Sequence, residues 1–175
     1  MKTTLTYGEI TALVNSGVLG ISARTLGAGD RYNVFDFKSR LREAAEGYEK
    51  RDRELVRECG VEDAAEFDRR LRELRDKMDL TEKEAAELDG MNARLETIKE
   101  QRRQMTDDTV EMSVRPIGHE AWFALRDENA AVKGSDGKEH DLLPDWVESL
   151  LFGKFWTAPA DADSSDSGKP SETTE

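Results

Sequence analysis

A mainly helical fold with a minor β element is what this sequence predicts, and three observations predict it. Apolar residues between positions 30 and 106 recur at threes and fours, the spacing of one helical face. Charged residues reach 37% of the chain against 37% hydrophobic, with a mean hydropathy of -0.74, a balance that suits long solvated helices over a thick globule. Strict alternation of apolar and polar residues is confined to Val110–Val114, with Lys2–Leu5 as a second short strand candidate. The expected architecture is a helical hairpin packed on a long helix, a short two-stranded β pairing, short C-terminal helices and a disordered tail. Residues 1–156 form the expected single domain, and residues 157–175 the tail.

Each element follows from local chemistry. Thr6-Tyr7-Gly8-Glu9 has the form of a capping box, with Leu5 and Ile10 at the staple positions on either side. A short helix through Ile10, Leu13 and Val14 should follow and stop near Gly17, where a glycine can take the left-handed conformation. Gly20, Gly27 and Gly29 punctuate the next stretch, and Ser22 could cap a turn or two there. From Asp30 to Cys59 a long helix is expected, with Val34, Phe37, Leu41, Ala44, Ala45, Tyr48, Leu55 and Cys59 on one face. Gly60 is its natural stop.

A hairpin over about 62–106 comes next. Phe67, Leu71, Leu74 and Met78 align on a helix from about Asp63 to Met78, and Asp79-Leu80 breaks it. Thr81-Glu82-Lys83-Glu84 is a second capping box, opening a helix to about Met105. Its stripe of Leu88, Met91, Leu95, Ile98 and Met105, interrupted by Arg102, has coiled-coil spacing over fewer than three heptads, which favours an intrachain hairpin over a long rod. The same stripe is the candidate surface for a homo-oligomer. Val110, Met112 and Val114 then read as a half-buried strand ended by Pro116, able to pair with Thr3–Leu5. Gly118 to Arg126 suggests a short helix carrying Trp122, Phe123 and Leu125. Gly134-Ser135-Asp136-Gly137 reads as a turn, and Leu143-Pro144-Asp145 opens a last helix with Trp146, Val147, Leu150, Leu151 and Phe155 on one side. The stretch from Thr157 to Glu175 has too little apolar area to offset its ordering entropy.

Charge and composition exclude several function classes. Residues 107–175 carry -10 of the net charge of -12, so no basic patch offers counterion release, and neither nucleic acid nor a membrane surface is an expected direct partner. Cys59 is the single cysteine, no secretory apolar segment opens the chain, and apolar runs are far too short to span a bilayer. The expected location is therefore the cytoplasm. The catalytic inventory is thin. His119-Glu120 lacks the second histidine a zinc helix needs, since position 123 is Phe, and the glycines from Gly17 to Gly29 match neither a Walker loop nor a dinucleotide fingerprint. His119 reads as a surface residue at a helix start, and Cys59 as a buried inert thiol at a helix end. No enzyme activity, cofactor or metal is expected. What stands out is an aromatic concentration: Trp122, Trp146 and Trp156, with Phe123, Phe152 and Phe155. Some of these cap the core; Phe152, Phe155 and Trp156 are the candidate partner-binding knob, since aromatic anchors dominate many protein interfaces.

The order of elements resembles a family of small proteins encoded among the virion structure and assembly genes of tailed bacteriophages. The resemblance runs from Leu5-Thr6-Tyr7-Gly8-Glu9-Ile10 through Ile21-Ser22-Ala23-Arg24-Thr25-Leu26 and Phe37-Lys38-Ser39-Arg40-Leu41. It continues with the strand within Thr109 to Ile117 and ends at Leu143-Pro144-Asp145-Trp146. It spans most of residues 5–152 by pattern more than by identity, and Leu19-Gly20-Ile21 departs from the Leu-Pro that such proteins often carry there. It implies a bacterial host cell, an accessory role in tail or head–tail assembly through protein–protein contact, a phage structural or assembly protein as partner, and a cytoplasmic or virion-associated location. The alternatives are an acidic regulator that mimics nucleic acid and occupies a basic cleft of another protein, and an enzyme of unrecognised type.

Overall fold

A computed structural model describes residues 2–133 and 137–154, with side chains as far as Phe152. The chain is mainly helical, with a small β component. In order it comprises strand β1 (Lys2–Thr6), helix α1 (Tyr7–Asn15), α2 (Ala28–Glu58), α3 (Ala64–Asp76), α4 (Glu82–Asp107), β2 (Thr109–Ser113), α5 (His119–Asn129), β3 (Val132–Lys133), β4 (Glu139–His140) and α6 (Asp145–Lys154). The described residues group into two compact units. One comprises residues 2–19 and 38–112, the other residues 20–37 and 113–154, so α2 contributes to both. The expected tail 157–175 lies outside the described residues.

In the first unit, both capping boxes form. The Thr6 hydroxyl accepts the Glu9 N–H at 3.1 Å while the Glu9 carboxylate accepts the Thr6 N–H at 2.8 Å. Leu5 and Ile10, the staple pair, are fully buried. After Asn15 the chain turns at Gly17, whose φ of 87° is the left-handed value that glycine adopts without a Cβ clash. Strands β1 and β2 pair with each other. Lys2 meets Glu111 at 2.7 Å, and the Tyr7 N–H donates to the Asp108 carbonyl at 3.0 Å.

The hairpin is α3 and α4. Asp63 caps α3 by accepting the Glu66 N–H, and Thr81 with Glu84 caps α4 reciprocally. Leu71, Leu74 and Met91 form its buried centre, with Phe67, Leu80, Leu88 and Leu95 packed around them. The Leu88–Met105 stripe is thus used inside the chain. Helix α4 also lies along the later part of α2. Arg102, the residue that interrupts the apolar stripe, forks onto Asp52 at 2.6 and 2.8 Å. Arg51 reaches Asp108 at 2.9 Å, and the Cys59 thiol lies 3.6 Å from Gln101 Oε1. Such exposed pairs contribute only about 0–1 kcal/mol each. A seam of ion pairs leaves its helix face partly wet. Val34, Phe37 and Leu41 are buried as expected, whereas Ala44, Ala45, Tyr48, Leu55 and Cys59 are only half-buried. Cys59 is thus not the buried thiol that its place on the apolar stripe predicts.

In the second unit Trp122 and Leu125 of α5, Val147 and Leu151 of α6, Leu143, and Val34 and Phe37 of α2 are buried. Asn129 is fully buried within it. Its amide donates to the Ser22 and Leu125 carbonyls at 2.8 and 2.7 Å and accepts the Ser22 N–H at 2.7 Å. Ser22 therefore caps no helix; its backbone is held by Asn129. Strands β3 and β4 pair antiparallel, Val132 opposite His140 and Lys133 opposite Glu139. The sequence offers only a turn here, because two-residue strands are too short to show alternation. Residues 134–136 of that turn lie outside the described residues.

Candidate functional site

Helix α5 organises the site. Its start at His119 follows Gly118, which can supply no side-chain cap. Trp122, Leu125 and Asn129, spaced three and four apart, are buried on one face. The opposite stripe, Glu120, Phe123 and Asp127, is exposed. His119 lies between the two faces at the surface, where the sequence places it. Its ring stands edge-on to Phe123, with centroids 4.6 Å apart and planes at 69°. On its other side is Phe152 of α6, at 6.2 Å and 62°. Phe152 also approaches Trp122 at 6.4 Å. The result is an aromatic ridge of Phe123, His119 and Phe152 standing on the buried Trp122, with centroid distances in the range where edge-on rings attract. Arg126 and Glu148, 3.3 Å apart, tie α5 to α6 beside it.

Of the three knob residues read from the sequence, Phe152 is half-buried within this ridge. Phe155 and Trp156 lie outside the described residues. Trp122 belongs to the core, at 2% exposure, whereas Phe123 and Trp146 are 48% and 47% exposed. On α6, Val147 and Leu151 face inward, Leu150 is half-buried and Trp146 turns outward.

Behind the ridge, Glu128 locks the Ser22–Thr25 loop. One of its carboxylate oxygens accepts from the Ser22 hydroxyl and, at 3.0 Å, from the Arg24 N–H. The other accepts from the Thr25 N–H at 3.0 Å and the Thr25 hydroxyl at 2.6 Å. Desolvation pushes the Glu128 carboxyl upward, but the hydrogen bonds from Ser22, Thr25 and Arg24 outweigh it and hold the group down at about 2. Sequence reading missed Glu128 and Asn129, because no periodicity announces a contact across more than a hundred residues.

It also missed an exposed pair on α2. Tyr32 and Phe35 are 53% and 68% exposed on the side away from the buried Val34 and Phe37. The Arg115 guanidinium lies 5.5 Å from the Tyr32 ring centre. Two aromatics off the apolar stripe were a legible signal.

A cleft of about 580 Å³ opens where α2 and α5 begin, lined by Leu26, Gly27, Asp30, Gly118, His119 and Glu120. Asp30 and Glu120 stand in the first turns of their helices, where they balance the positive ends of the dipoles. Among the described residues, no three His, Cys, Asp or Glu side chains converge as a metal-holding group, and no helix is long and apolar enough to cross a membrane. No protein-family model, no curated protein and no solved structure matches this chain.

Proposed function

We propose that this chain is a non-enzymatic accessory protein of phage or prophage virion assembly, acting by protein–protein contact through the α5–α6 aromatic ridge. One observation carries the contact reading. Phe123, nearly half exposed, stands edge-on against His119, whose ring in turn meets Phe152, on two helices whose Trp122, Val147 and Leu151 are buried. An aromatic side chain pre-positioned at a surface loses little freedom on binding, which is the property of interface anchors. The assembly setting draws its support from the order of elements and the Leu143-Pro144 helix start on which the phage resemblance rests.

The test is recovery of the tagged full chain from cells producing particles. A capsid or tail protein should co-purify with the native chain, and Phe123→Ser should release it while the circular dichroism spectrum stays native. Recovery of the chain free of any structural protein, throughout particle production, would overturn the reading.

A further inference from the structure

The unit built from residues 20–37 and 113–154 displays two exposed aromatic patches, and the charges beside them that have no ion-pair partner among the described residues are opposite. On α2, Tyr32 and Phe35 stand out beside Arg115, which stacks over Tyr32 and makes no ion pair among the described residues. On α5, Phe123 stands between Glu120, three residues before it, and Asp127, four after it. Neither carboxylate has a cationic partner among the described residues. Arg126, the cation on the same helix, is already engaged by Glu148. One patch is therefore aromatic and positive, the other aromatic and negative.

We infer that the chain associates with itself head to tail, the Tyr32–Phe35–Arg115 patch of one copy docking on the Glu120–Phe123–Asp127 stripe of the next. This rests on the reading of α5 as a docking surface and names a second copy as an occupant. Pairing like with like would set Arg115 against Arg115, or carboxylates against carboxylates, which costs affinity. Pairing unlike patches brings the guanidinium to the carboxylates and covers the three rings together. Because the patches differ, every added copy leaves one of each exposed, and the product is a ring or a filament. The Leu88–Met105 stripe plays no part, since its side chains pack inside the hairpin unit.

Sedimentation of the full chain over a concentration series tests this. The native chain should grow past the dimer as concentration rises, and added salt should weaken the growth. Phe35→Ser and Phe123→Ser should each need at least about tenfold more protein to associate, as for loss of an interface anchor. Mixed in equal amounts they should form a one-to-one pair and nothing larger, because each retains the surface the other has lost. Arg115→Glu and the double change Glu120→Lys with Asp127→Lys should each be monomeric alone and, because mixing restores both unlike contacts, co-assemble past the dimer in alternation when mixed. A native chain that stays monomeric at every concentration overturns the inference. So does assembly that survives both serine changes, or a mixture that fails to pair. If the native chain is monomeric but Phe123→Ser still releases a virion protein, self-association falls and the contact reading stands.

Discussion

Replacing Glu128 by Gln should destabilise the unit around Trp122 by about 1–2 kcal/mol at neutral pH, and the deficit should vanish in acid. The carboxylate presents one oxygen to the Ser22 hydroxyl and the Arg24 N–H, and the other to the Thr25 N–H and hydroxyl. Gln keeps one acceptor oxygen. Whichever way its amide is turned, the NH₂ end meets a backbone N–H, so one donor loses its partner and the remaining bonds lose their charge. A charge-assisted hydrogen bond contributes about 1.5–3 kcal/mol and a neutral one about 0.5–1.5. The lowered pKa has the same hydrogen bonds as its cause. A fall from 4.5 to about 2 corresponds to about 3 kcal/mol at full weight, and solvent screening of a half-buried group reduces it to about 1–2. The sign follows from linkage. A carboxyl held low in the folded state stabilises above its unfolded pKa, and that contribution is lost as pH falls through the folded value. Urea unfolding followed by tryptophan fluorescence should therefore show a full gap between native and Gln proteins at pH 7. The gap should shrink below about pH 4.5 and close near pH 2. A gap under about 0.5 kcal/mol at pH 7, the size of an ordinary surface substitution, would refute the reasoning, as would one that persists unchanged into acid.

Two further perturbations probe the rest of the frame. Asn129→Ala leaves the part-buried Ser22 N–H and carbonyl without the partners that the fully buried Asn129 side chain supplies, and thermal unfolding should report a loss of about 1–3 kcal/mol. Thr81→Ala removes one half of the α4 capping box and should cost about 1 kcal/mol, with faster amide exchange in the first turn of α4 and little change in α5.

Elements whose signals are local were legible. The Thr6–Glu9 and Thr81–Glu84 boxes each lie within four residues, so their hydrogen bonds could be read before any fold was known. Gly60, with φ of 77°, lies two residues past Glu58, the last residue of α2, and is the glycine expected to stop that helix. The pairing of β1 with β2 also matches expectation, because alternation at Val110–Val114 left few partners in so helical a chain. Side-chain locks over long distance were not legible. A buried Asn and a carboxylate gripping a loop have no period and no composition signature. The α2 face was half legible: periodicity marked Val34, Phe37 and Leu41, but it cannot tell a dry seam from one bridged by Arg102 and Asp52. Phe123 and Phe152 both stood in the aromatic concentration of the sequence, but their arrangement on either side of His119 was visible only once α5 and α6 were in place.

The two units interleave along the chain, and this orders events during synthesis. Every residue of the hairpin-bearing unit has been made once position 112 leaves the ribosome, so its strands can close then. The Ser22 loop must instead wait for Glu128 and Asn129, its partners 106 and 107 residues downstream. Until they emerge, the backbone of Ser22, Arg24 and Thr25 lacks those partners. Slow translation between residues 112 and 130 should therefore lengthen the period in which the nascent polypeptide depends on chaperones.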